Sequence, residues 1–203
     1  MRTHIITSLV MISCALFPLT SNAQSDLTSP LLRKSLWRVS LFNLVRPGIS
    51  HELRVTRNVS VLSVASLRTG YISHSEQNKP TIWYRSLAAQ ASLSARYYYN
   101  LDRRLAAGKS IQYNSGNYWS LGAYYTSPVI THWGEQSLFN TTYPLGSGNS
   151  VNIRLLWGMQ RQLPTKRFYY DFSAGLQVNT NKPDSRLHGS FTAQLAVGYC
   201  LTK

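Results

Sequence analysis

The sequence is short of acid, of cysteine and of long apolar runs, and each shortage excludes a class of protein. Two cysteines, Cys14 and Cys200, in 203 residues rule out the small secreted domains stapled by several disulfides. No stretch of about 20 apolar residues occurs, so no segment qualifies as a membrane-spanning helix. Beyond residue 24 no segment holds a convincing 3.6-residue apolar period; the nearest, Asn100 to Lys109, is short. With helices scarce, the expected fold class is all-β.

Acid is the scarcest commodity: 7 Asp and Glu stand against 21 Lys and Arg, a formal net charge of +14. In a cytosolic protein such an excess points first to nucleic acid. The N-terminus argues for export instead. Arg2, the apolar block Ile5 to Leu19 and the small residues Ser21-Asn22-Ala23 have the layout of a signal peptide over residues 1–23, cleaved after Ala23. Acylation at Cys14 is a poorer reading, because Met11 suits the position three before it badly and the apolar block runs on through Phe17. Cleavage leaves Cys200 alone, without a disulfide partner. For an exported basic chain the natural anionic partner is a membrane surface, such as the phosphates of lipopolysaccharide, and nucleic acid is not expected.

What the sequence has in quantity is period-two alternation. In LAAQASLSARYYYN, Leu87, Leu93, Tyr97 and Tyr99 share one parity with three alanines, while Gln90, Ser92, Ser94 and Arg96 hold the other. Such a row is a strand with one apolar face, and its length exceeds the usual five or six residues while matching the 9–11 of a spanning strand. The same pattern recurs with Ile153 and Leu155 in VNIRLLWGMQRQ, with Phe172 and Leu176 in FYYDFSAGLQV, and with Phe191 and Leu195 in GSFTAQLAVGYCL. Eight strands are predicted, over 37–45, 48–56, 59–71, 81–99, 116–127, 149–162, 167–178 and 189–201. Residues 24–36 precede them as a periplasmic segment. Strand 59–71 is apolar on both parities, and Pro47-Gly48 reads as a tight turn or as a kink in one long strand.

An even number of strands fits a closed, antiparallel up-and-down transmembrane β-barrel over 37–203. Short turns at 56–58 and 164–166 then lie on the periplasmic side, and the polar segments 72–80, 128–148 and 179–188 on the outer side. Asn100 to Ser115 interrupts the short-turn side as a small basic helix followed by a loop. Aromatic residues gather at strand ends: Trp37, Tyr97 to Tyr99, Tyr118, Trp119, Phe168 to Tyr170 and Tyr199 at one, Tyr71, Trp83, Tyr84, Tyr124 and Tyr125 at the other. Trp83, Tyr97, Tyr99, Trp119, Phe168 and Tyr199 are the expected interface aromatics. Leu87, Leu93, Ile153, Leu155, Phe172, Leu176, Phe191 and Leu195 are the expected lipid-facing residues. A soluble lipocalin-like barrel around an apolar ligand would turn the same row inward.

Of the seven carboxylates only Glu52 and Asp171 fall inside predicted strands, both with lumen parity, as do Arg54, Arg68, Arg96 and Arg154. An unpaired charge in a narrow interior is costly. The lumen is therefore expected to hold a charge network of Glu52, Arg54, Arg96, Arg154 and Asp171.

The stretches FNLVRPGISHEL, ARYYYNLDRRLAAGKS, NSGNYWSL and LAVGY make the chain resemble the small eight-stranded outer-membrane barrels of Gram-negative bacteria. These include the transmembrane domain of outer membrane protein A, and the likeness is nearest to uncharacterised members from Bacteroidota. The resemblance implies an outer-membrane location and assembly by the insertion machinery that recognises the last strand. It brings no agreed activity. One departure is the ending Cys200-Leu201-Thr202-Lys203 after Tyr199, where such strands often finish on an aromatic residue. His74-Ser75-Glu76 is the only cluster with nucleophile, base and acid types together, but three adjacent residues seldom form a working triad. A lipid A hydrolase or acyltransferase on the same barrel is thus the lesser alternative to a structural, adhesive or narrow-channel role. No catalytic residue, metal ligand set or cofactor is expected.

Overall fold

The computed structural model describes residues 32–43, 46–74, 82–133, 149–163, 167–179 and 188–201. Its elements are β1 (Ser35–Phe42), β2 (Arg46–Arg54), β3 (Val59–His74), β4 (Ile82–Tyr98), α1 (Leu101–Ala106), β5 (Asn117–Thr126), β6 (Thr131–Trp133), β7 (Ser150–Gln162), β8 (Phe168–Asn179) and β9 (His188–Cys200). Eight long strands pair antiparallel with their neighbours in sequence, and β9 pairs with β1 to close the sheet. The protein is an all-β, closed, up-and-down barrel. Closure gives each of the eight long strands two neighbours.

The three-residue β6 is not a ninth stave. It pairs with Arg85 to Leu87 of β4, beyond the point where β5 leaves that strand at Gln90. The interruption is bridged by Ser127 N–H to the Ala89 carbonyl and Ile130 N–H to the Leu87 carbonyl, each 2.8 Å. β6 thus prolongs the line of β5 after a local bulge.

The first hairpin departs from the sequence reading. Phe42 pairs with Arg46, Asn43 follows Phe42 at φ 48°, and residues 37–56 hold two strands. Pro47 lies inside β2 opposite Leu41, and Gly48 opposite Ser40 and Ser66. A Cβ at Gly48 would stand 2.8 Å from the Phe42 ring and 2.7 Å from Ser66 Cβ. The glycine serves close approach across the barrel wall rather than a turn.

Two further stretches gain detail. β1 begins at Ser35, and Leu32, placed by sequence in a periplasmic segment, is buried against Tyr98, Leu101 and Tyr118. The ambiguous strand β3 resolves by register: Ser60 and Leu62 lie opposite Arg96 and Ser94 and are buried with them inside the barrel. The segment after β4 forms α1 and then a single 3-10 turn at Gln112–Asn114. Tyr113 of that turn is buried with Leu36, Tyr169 and Cys200. Leu101 and Tyr113 therefore cap the barrel end at which β1 starts and β9 finishes, hereafter the terminal end. The opposite end is the loop end.

Gly158 shows how tightly that end is filled. It pairs with Tyr118, and an added Cβ would fall within 2.5 Å of the phenol ring. Tyr118 is itself buried and its hydroxyl is held by Asp171. Gly158→Ala is expected to lower stability by about 1–3 kcal/mol, the usual cost of overpacking, read as a lower urea midpoint for the folded barrel.

Candidate functional site

Side-chain direction divides the wall into two surfaces. On the outer face Leu121 is 57 % exposed and Leu176 62 %, whereas Glu52 inside is 0 % exposed. Leu93, Ile153, Leu155, Phe172, Leu176, Phe191 and Leu195 are all exposed on the outer face, and Leu87 is half-buried on the same parity of β4. Leu121, Leu155, Leu176 and Phe191 line up across β5, β7, β8 and β9 as one cross-strand row. This is the reverse of a lipocalin-like barrel.

The interior at the terminal end is a polar network built on two ion pairs. Arg38 of β1 pairs with Glu52 of β2. Glu52 also accepts hydrogen bonds from Ser60 Oγ at 2.5 Å and Tyr98 Oη at 2.8 Å. Arg96 of β4 meets Asp171 of β8 at 2.9 Å, and Tyr118 Oη donates to the other oxygen of Asp171 at 2.5 Å. Arg96 donates to Gln160 Oε1 at 3.1 Å, and Gln160 Nε2 donates to the Tyr113 carbonyl. The guanidinium of Arg96 lies 4.2 Å from the Tyr118 ring centre, and that of Arg38 lies 5.0 Å from Tyr169, whose hydroxyl bonds Ser40. Each of β1 to β5, β7 and β8 contributes a side chain, and Cys200 of β9 is buried beside Tyr169. Each carboxylate is thereby neutralised and multiply hydrogen-bonded, as burial demands.

The structure thus brings together three of the five expected network residues, Glu52, Arg96 and Asp171. The other two lie elsewhere. Arg54 reaches the terminal rim, where its Nη1 donates to the Leu32 carbonyl at 2.9 Å. Arg154 lies toward the loop end, bonded to Gln177 Oε1 at 2.6 Å and stacked on Tyr124 at 3.9 Å. Both have inward parity, but parity fixes the face of a strand and not the height along the barrel. Sequence reading missed Arg38, Tyr98, Tyr118, Gln160 and Tyr169. Arg38 was legible, because it shares the parity of Leu36 and Ser40. The three tyrosines were grouped with the interface aromatics, yet they alternate with outward neighbours and point inward.

The outward aromatics of the terminal end include Trp37, Tyr97, Tyr99, Trp119, Phe168 and Tyr199. Phe168 and Tyr199 meet edge to face at 5.1 Å, and Tyr99 Oη accepts from Trp157 Nε1 at 2.8 Å. Trp83 is placed only by backbone register, opposite Ser73. His74 ends β3, while Ser75 and Glu76 lie outside the described residues. Residues 1–31, with the expected signal peptide, also lie outside them. Among the described residues no three His, Cys, Asp or Glu side chains come together as a metal site.

Above the network lies a cavity of about 30 Å³, lined by Arg46, Gln90, Arg96, Tyr124 and Gln194 among others, enough for about two waters. Searches against family models, curated protein sequences and solved structures returned no match.

Removing Glu52 tests how much the network holds. Glu52→Leu leaves Arg38 buried and unpaired and is expected to cost about 3–5 kcal/mol. The double variant Arg38→Met, Glu52→Leu should recover most of that loss. Denaturant titrations of both variants measure the difference.

Proposed function

We propose that this chain is an integral outer-membrane barrel protein with a structural role. The observation that carries the reading is the inverted wall: exposed leucines, isoleucine and phenylalanines outside, with paired charges and hydroxyls inside. In water an apolar band of this extent around a closed barrel would be an association surface; against acyl chains it is the expected exterior. The Tyr, Trp and Phe side chains around the terminal end suit the headgroup boundary. In this reading the terminal end faces the periplasm, the loop end faces outward toward lipopolysaccharide, and β9 is the strand read by the insertion machinery. The filled terminal end, with Tyr98, Tyr118 and the two ion pairs across the lumen, favours a structural role over a conducting one.

Two measurements test this. Expressed with its N-terminal segment in a Gram-negative host, the protein should remain with the outer membrane after carbonate extraction and migrate differently on gels before and after boiling. Recovery in the periplasmic fraction without detergent overturns the reading. Leu155→Arg, in the middle of the outer row, should cost about 2–4 kcal/mol in lipid vesicles; unchanged folding there argues equally against an acyl-chain exterior.

A further inference from the structure

The barrel treats its inward arginines in two ways. Deep in the terminal half, Arg38 and Arg96 each have a carboxylate. Toward the loop end Arg46 of β2, Arg68 of β3 and Arg154 of β7 also have inward parity, and among the described residues no carboxylate lies against any of them. The β2–β3 ladder ends at Gly48 opposite Ser66; Arg46 lies two residues beyond it on β2, and Arg68, which is exposed, two residues beyond it on β3. Arg154 adds a cation from the other wall, since β7 is four strands from β2 around the barrel, and the Tyr124 ring on which it stacks lines the same cavity as Arg46. Arg154 is held in place by Gln177 and by the Tyr124 ring, so it is fixed rather than free to swing into solvent. Beside Arg46 the cavity wall carries further neutral donors, Ser66, Gln90, Ser92 and Gln194.

Guanidinium groups of Arg46 and Arg154 about one polar cavity, with the exposed Arg68 toward its mouth and the nearest buried acids already taken, are complementary to an anion with several oxygen acceptors. We propose that the loop-end half of the barrel interior is an anion site, formed by Arg46, Arg68 and Arg154, for a phosphate group. That group could be carried by a small solute or by a lipopolysaccharide headgroup. The site depends on the closed barrel and not on the membrane reading, so a soluble barrel would keep it.

The test uses the full folded protein in neutral detergent. Inorganic phosphate is titrated by calorimetry in one arm, and micelles containing lipopolysaccharide, without free phosphate, in the other. Saturable binding is expected in at least one arm, about tenfold weaker in Arg46→Gln and in Arg154→Gln, in keeping with loss of a charge-assisted hydrogen bond. Arg57→Gln, whose guanidinium pairs with Asp102 at the terminal end, should bind as the parent does. Binding of free phosphate assigns a small solute; binding only to the lipopolysaccharide micelles assigns the lipid phosphates. Should Arg46→Gln fail to fold, Arg154→Gln on the opposite wall decides. No saturable binding by the parent in either arm overturns the proposal, as does binding that all three variants retain. Binding that emerges only after Glu76, Glu135 and Asp184 are replaced by glutamine overturns it too, because the chain would then supply its own counter-ions.

Discussion

A charge enclosed by a β-barrel must find its partner on another strand, and this constraint organises the interior. Arg38 and Glu52 join adjacent strands; Arg96 and Asp171 join strands that are not neighbours. Once those pairs form, the remaining oxygens of both carboxylates still need donors, and Ser60, Tyr98 and Tyr118 supply them. Large aromatic rings then occupy the space between the pairs, and Gly158 has to be glycine where Tyr118 lies over it. Satisfying charge and filling volume are the same task here, because tyrosine does both.

The consequence is a barrel that differs along its axis. At the terminal end Leu32, Leu101 and Tyr113 from outside the staves, with Leu36 at the start of β1, cover the network, so short apolar contacts from α1 and the 3-10 turn seal what the ion pairs fill. Toward the loop end the interior opens into a small polar cavity, and cation outnumbers acid among the described residues. Among the described residues Glu52 and Asp171 serve the closed half, while inward arginines continue into the open one.

The strand pattern could be read directly, since alternation alone sets Leu93, Ile153 and Leu176 on the apolar faces of their strands and Gln90, Arg154 and Gln194 on the polar ones. Local signals misled where contacts across the wall outweighed them. Pro47-Gly48 carries turn chemistry, yet pairing to Leu41 and Ser66 holds it within a strand. Tyr98, Tyr118 and Tyr169 look like interface residues because they sit beside Tyr97, Trp119 and Phe168, and only their parity separates the two roles. Arg54 and Arg154 share the network's face but not its level, which depends on how far neighbouring strands are staggered.

By itself the sequence determined that the chain is all-β, where its strands run, and which side chains share a face, because a two-residue repeat is a property of the extended backbone. Only the tertiary structure decided which face is enclosed, which arginine meets which carboxylate, and which end is sealed. Those depend on closure and stagger among strands distant in sequence, and no local pattern of residues encodes them.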